Sequence, residues 1–245
     1  MSSTKYIKDI ILKNSICHSS YLANLPAIQY LMKKKKLSLT REVTFFVGEN
    51  GTGKSTLLEA IAVAYGFNPE GGTRNFSFAT SNTHSELYKN LIITKTDFAK
   101  DGFFLRAESF YNVASYIDEV GVTHNYGEKS LHNQSHGESF LSLIQNRFSG
   151  DSLYLLDEPE AALSPMRLLT LIAEIDNLVK KNSQFIIATH SPILMSFPNA
   201  EILEFSQNGM KSVEYKETEH YKVTKFFLEN PDRMLKYLLD DKNSE

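Results

Sequence analysis

The chain has 245 residues, 42% of them hydrophobic and 22% charged, with a formal net charge of −3. This excludes a disordered or fibrous chain, fits one α/β domain with a sizeable core, and carries no bulk sign of a nucleic-acid binder, though a local basic face remains open. Cys17 is the one cysteine, so no intramolecular disulfide forms, residues 1–16 hold no signal-peptide core, and no apolar run approaches the roughly 20 residues that span a bilayer. The expectation is a cytoplasmic protein without an integral membrane segment.

Tyr6–Leu12 reads as an opening strand, interrupted by Lys8 and Asp9. A turn at Leu22–Pro26 and a short helix over Ala27–Met32 follow. Lys33–Lys36 is a run of four lysines, either a solvated face or a contact for nucleic acid or a partner.

Val43–Val47 is a continuous apolar run, as a buried strand is. Directly after it stand Gly48, Glu49, Asn50, Gly51, Thr52, Gly53, Lys54, Ser55 and Thr56. A glycine, four residues, then Gly-Lys-Ser/Thr is the phosphate-loop pattern. Glycines let the backbone turn tightly and approach phosphate oxygens. Successive amide N–H groups then point at the anion. Lys54 reaches the β- and γ-phosphates as a point charge, and Ser55 is placed to ligate Mg²⁺. Leu57, Leu58, Ile61, Ala62 and Tyr65 recur at helical spacing, so a helix dipole lies beneath the phosphates.

Gly66–Phe76 is rich in turn formers, and its Arg74 is either an ordinary surface arginine or one that approaches a nucleotide or partner. Leu91–Ile93 is apolar, and Phe103–Arg106 reads as a strand ending in Ala107-Glu108-Ser109. Asp118–His132 is hydrophilic and reads as an exposed loop. Gly137–Phe148 is a helix with Phe140, Leu143, Ile144 and Phe148 on one face, and Ser135 or Ser139 is placed to cap it. Ser135 and Gly137 at its start form a potential anion site.

Leu153–Leu156 is a short apolar strand ending in Asp157 and Glu158. A carboxylate there holds Mg²⁺, directly or through water. Glu158 is placed to orient or deprotonate an attacking water. Met166–Val179 is a helix and Phe185–Ala188 a buried strand, after which His190 is placed to hydrogen-bond a γ-phosphate. Glu201–Phe205 and Ser212–Lys216 flank Gln207-Asn208-Gly209 as a hairpin. Helices near Val223–Leu228 and Arg233–Leu239 close the chain. His132 and His136 have i, i+4 spacing, but no acidic or cysteine ligand set accompanies them. Tyr6, Tyr21 and Tyr30 are candidates for an adenine platform, and each also reads as simple packing.

The set resembles the ATP-binding-cassette (ABC) ATPases. Ser135-His136-Gly137-Glu138 stands where that superfamily has its signature, 22 residues before the Walker B Asp157. Ala161–Pro165 resembles the D-loop, and Ala188-Thr189-His190-Ser191-Pro192 the switch-histidine segment. More narrowly, the chain is similar end to end to small stand-alone bacterial ATPases. Its Glu158-Pro159-Glu160 turn and Thr189–Pro192 segment also resemble the RecF-like and SMC-like branch, whose members act in DNA maintenance and phage defence.

The resemblance implies an α/β P-loop NTPase fold over 1–245 as one domain. Its central sheet is mostly parallel, with N-terminal antiparallel strands, and a loop region and helical signature lobe fall within about 66–150. It implies ATP and Mg²⁺ as cofactors. Lys54, Glu158 and His190 are catalytic, and the loop residues with Ser135, Gly137 and Glu138 bind nucleotide. Ser55, Asp157 and Glu108 are at the metal, Glu108 standing where the family carries a strand-end glutamine. It also implies a head-to-tail homodimer closed by ATP, acting as a switch in DNA maintenance or anti-phage defence with a separate effector protein or nucleic acid. A permease partner, as for a transporter ATP-binding subunit, is the alternative. About 80 residues separate Lys54 from Ser135, too few for coiled-coil arms.

Overall fold

The strand that precedes the phosphate loop lies inside a six-stranded sheet, between partners that follow it by some 140 residues. The computed structural model describes residues 5–17, 19–74, 85–119, 132 and 135–240. The central sheet runs β5 (Asp101–Arg106), β6 (Ser152–Asp157), β7 (Gln184–Ala188), β3 (Val43–Val47), β8 (Glu201–Ser206) and β9 (Gly209–Ser212). All pairs are parallel except the β8–β9 hairpin. A second sheet sets β1 (Asp9–Leu12) between β2 (Lys36–Ser38) and β4 (Leu91–Thr94), both antiparallel to it.

The continuous apolar runs follow from burial on both faces. One face of the central sheet presents Phe46, Leu155, Ile186, Leu203 and Phe205 to a core shared with the small sheet, α1 (Pro26–Lys34) and α2 (Lys54–Tyr65). The other presents Phe45, Val47, Tyr154, Leu156 and Ile187 to α3 (Phe110–Glu119), α4 (His136–Arg147) and α5 (Pro165–Lys180). Each fully buried aromatic or branched side chain contributes about 1.5–3 kcal/mol of transfer free energy. α6 (Pro192–Met195), α7 (Glu219–Glu229) and α8 (Pro231–Asp240) complete the chain. α7 has no fully buried side chain, and it exposes Val223, Phe226 and Leu228.

The opening strand is shorter than its apolar pattern, because pairing begins only at Asp9. α3 was not expected, although Phe110, Val113, Ala114 and Ile117 are its buried stripe. The lysine run divides: Lys33 and Lys34 end α1, Lys35 turns in the left-handed region, and Lys36 opens β2. The hairpin forms at the expected turn, but β9 starts at Gly209 and stops at Ser212. Arg74 donates to the carbonyls of Ala99 and Lys100. Of the predicted loop Asp118–His132, residues 120–131 lie outside the described residues.

Candidate functional site

Four strand ends build the site. β3 runs into the phosphate loop, β6 into Asp157 and Glu158, β7 into His190, and β5 into Glu108. Parallel register aligns these ends: Asp157 is level with Ala188 on one side and Arg106 on the other. Ligand sites at the carboxyl ends of parallel strands are the rule for such sheets.

The loop's shape depends on two positions. Gly48 has φ +136, and a Cβ there would lie 2.2 Å from the Phe205 carbonyl oxygen. β8 thus presses against the loop's first turn, which only glycine allows. On the outer side the Ala27 N–H donates to the Thr52 carbonyl at 3.0 Å, so the start of α1 docks on the loop. Tyr21 stands exposed in the turn just before α1, whereas Tyr6 is buried and donates its hydroxyl to the Asn182 carbonyl. Tyr30 packs against the core. Of the three tyrosines, Tyr21 is the exposed one.

Lys54 is the first residue of α2 and is buried. Its Nζ donates to the carbonyl oxygens of Gly48 at 2.7 Å and Glu49 at 2.9 Å. Burial lowers its pKa, opposed by the nearby Glu158, Asp157 and Glu160. Asp157 is buried at the end of β6, and burial pushes its carboxyl up to about 6. Arg106 and the neighbouring Ser55 oppose that shift. Arg106 lies between two carboxylates, with Nη1 2.8 Å from Glu59 Oε2 and Nε 3.4 Å from Asp157 Oδ2. Its other nitrogen lies 3.4 Å from the exposed Glu108.

Glu158 follows with φ 49 and ψ 51, the left-handed region, although the next residue is Pro159. A proline favours extended backbone before it, so this position is strained. Such strain clusters at functional sites. The Glu158 N–H is held by the Ala188 carbonyl at 2.9 Å, which fixes the carboxyl beside the end of β7. His190 Nε2 lies 3.6 Å from Glu158 Oε1. The Glu160 carboxylate accepts from the His190 N–H and so pins the switch segment. His190 is held neutral, its pKa pushed down to about 4 by burial and then by Lys54 and His220.

Ser55, Glu108, His136, Asp157 and Glu158 line one cavity of about 330 Å³. The start of α4 therefore lies on the rim of the chain's own cavity. Glu138 accepts from both the Ser135 N–H at 3.0 Å and the Ser135 hydroxyl at 2.6 Å, and pairs with Arg167 of α5 at 3.1 Å. A Cβ on Gly137 would meet Arg167 Nη1 at 2.5 Å and the Ala162 carbonyl at 2.8 Å. Gly137 thus lets the signature segment pack on the segment after Walker B. His132 and His136 take separate aromatic partners, Tyr111 and Phe110.

Two residues of the site carry no motif. Arg106 ends an expected strand, yet its buried partners are set only by the fold. His220, from α7, places Nε2 3.0 Å from His190 Nδ1. Nothing in the local pattern of α7 marks it.

The donor set fits nucleotide and Mg²⁺. Asp157 Oδ1 is buried without a hydrogen-bond partner among the described residues, beside Ser55. Among the described residues no group of three His, Cys, Asp or Glu forms a metal cage. Mg²⁺ in phosphate sites does not need one, since it takes one or two protein oxygens with phosphates and water.

A mostly parallel sheet with a glycine-rich loop opening the helix after a central strand defines a P-loop NTPase. The family profile described as "ABC transporter" matches residues 35–161, just over half of the chain. The chain belongs to this family of ABC-type ATPases, which bind ATP and hydrolyse it to ADP and phosphate. A second profile, "AAA domain, putative AbiEii toxin, Type IV TA system", matches residues 139–196. The ribose import ATP-binding protein RbsA of Bacillus cereus is 28% identical over 176 residues, 62% of this chain and 35% of that protein. Structural maintenance of chromosomes protein 6 of Takifugu rubripes is 29% identical over 119 residues, 49% of this chain and 9% of that protein. The chain thus spans about a third or less of the length of these relatives. Among solved structures, an inward-facing "putative metal-chelate type ABC transporter" aligns with TM-score 0.50 and 15% identity over 90% of this chain and 89% of that one, a likeness of fold. Among the described residues no helix is long and apolar enough to cross a membrane.

Proposed function

We propose that the chain is a nucleotide-driven switch, closing on a second copy when ATP binds and opening when ATP is hydrolysed. The observation that carries this reading is the convergence of Lys54, Ser55, Asp157, Glu158 and His190 at adjacent strand ends, with the α4 start on the same rim. Ser55 and Asp157 would hold Mg²⁺, with Glu108 at the edge. Mg²⁺ held by these residues would supply positive charge to offset that of the phosphates. Lys54 exchanges its bonds to the Gly48 and Glu49 carbonyls for phosphate oxygens, and the loop amides hold the charge that builds on the transferred group. Glu158 orients the attacking water and takes its proton. His190, neutral, offers a hydrogen to the γ-phosphate and loses that partner on hydrolysis.

In the closed pair, Ser135, Gly137 and Glu138 of each copy meet the nucleotide held by the other. For this the Ser135 hydroxyl turns from Glu138 toward phosphate. Ser135→Arg tests the pairing. It is expected to leave ATP binding by the monomer intact, abolish ATP-dependent dimerisation in light scattering, and reduce turnover to a residual level. A dimeric, fully hydrolysing Ser135→Arg protein would rule out the pairing.

The cellular role proposed is DNA maintenance or anti-phage defence in the cytoplasm, with an effector supplied by another protein. The similarity of residues 139–196 to an AAA domain described as a putative AbiEii toxin, and of a separately matched 119-residue stretch to part of an SMC protein, supports this. The exposed Val223, Phe226 and Leu228 on α7 also suit a protein partner. The RbsA similarity favours a second reading, a transporter's ATP-binding subunit. A pull-down with the hydrolysis-deficient protein and ATP separates them. DNA or a soluble effector is expected, and recovery of integral permease subunits would overturn the role.

A further inference from the structure

His220 is 30 residues beyond His190, yet its Nε2 lies 3.0 Å from His190 Nδ1, with ring centroids 5.1 Å apart and planes at 58°. A contact between two neutral imidazole nitrogens holds one hydrogen. Which nitrogen carries it is decided at the other end of His190. His190 Nε2 is buried, has no hydrogen-bond partner among the described residues, and lies 3.6 Å from Glu158 Oε1. The facing carboxyl oxygen is an acceptor, so a hydrogen on His190 Nε2 is favoured there. Nδ1 of His190 is then bare and accepts from His220 Nε2–H. His220 Nδ1 is then left without hydrogen, and it has no hydrogen-bond partner among the described residues.

We propose that His220 is a positioning residue for hydrolysis: its Nε2–H holds His190 in the tautomer and ring orientation that present Nε2–H to the γ-phosphate. This rests on the reading of His190 as the γ-phosphate contact. Burial and then Lys54 lower the pKa of both rings, against Glu219, Glu204 and Glu49 at His220, which favours the neutral forms. Second groups that fix a histidine's tautomer are a recurrent device, because the two ring nitrogens are not equivalent. The hold on α7 is local and polar: Thr218 caps the helix, and Glu204 accepts from the Glu219 N–H. His220 is thus carried on a first turn tied down at Thr218 and Glu219.

The test uses the full chain with ATP and Mg²⁺. His220→Ala is expected to lower kcat about tenfold, the effect of losing one buried hydrogen bond of about 1.4 kcal/mol in the transition state, with KM unchanged. His220→Gln keeps an N–H donor of similar reach and is expected to recover most of the rate. Nitrogen-15 spectra of wild-type protein are expected to show His190 with hydrogen on Nε2 and an accepting Nδ1. Wild-type turnover by His220→Ala, no rescue by His220→Gln, or hydrogen on His190 Nδ1 would each overturn the proposal; the spectrum does so even if the alanine variant folds poorly. His190→Ala separates the two readings. If it turns over normally, the γ-phosphate contact itself is wrong, and this inference goes with it. If it is slow while His220→Ala is not, only the role of His220 is lost.

Discussion

Glu158→Gln is expected to cut ATP turnover by at least about a hundredfold, the scale of losing a general base. ATP binding should persist, because Lys54, Ser55 and the loop amides are untouched. The substitution preserves volume, and the strained backbone at φ 49 is held by the Ala188 carbonyl rather than by the side chain. A hydrolysis-dead, binding-competent chain should accumulate as a dimer with ATP, since bound nucleotide stabilises the state that binds it. Single-turnover assays and light scattering read both effects. Normal turnover would move the base elsewhere. Slow turnover without dimer would keep the base and remove the closed pair.

Gly48→Ala is expected to lose ATP affinity by more than about thirtyfold and stability by about 2–4 kcal/mol, the range for overpacking combined with backbone strain. The methyl would sit 2.2 Å from the Phe205 carbonyl oxygen and 3.1 Å from its carbon, both main-chain atoms of β8. A strand paired on both sides cannot retreat, so the loop itself must shift. Gly51→Ala is the comparison. Its φ of +79 is also left-handed, but nothing lies within 4 Å of an added Cβ. There only the conformational cost of about 1–2 kcal/mol applies. Equal destabilisation of the two variants, by thermal melt, would show that the contact with β8 does not shape the loop.

Much of the site was legible because its chemistry is local. The phosphate loop, Asp157-Glu158 and His190 are each written within a few residues, and each follows an apolar run that burial on both sheet faces demands. The remainder depends on contacts between distant segments. Phe110, Val113, Ala114 and Ile117 do repeat at helical spacing, but the polar stretch after them masks α3. Lys36-Leu37-Ser38 has too few residues to declare a strand, and only pairing with β1 makes it one. Arg106 looked like the end of β5. Its place between Glu59 and Asp157 requires α2 and β6 to be folded against it. His220 lies on an amphipathic helix with no signal of its own.

The position of β3 also governs how the chain is made. Val43–Val47 is made well before its partners β7 and β8, which are residues 184–188 and 201–206. Throughout the synthesis of the intervening 136 residues this apolar segment has no neighbour in the sheet. Long-range parallel pairing is slow, and an unpaired apolar strand is prone to aggregate. The phosphate loop hangs from that strand and leans on Phe205, so until β8 is made the nascent chain holds every motif of the loop without the contact that shapes its first turn. The demand for chaperone protection therefore falls on the interval between the synthesis of β3 and that of β8.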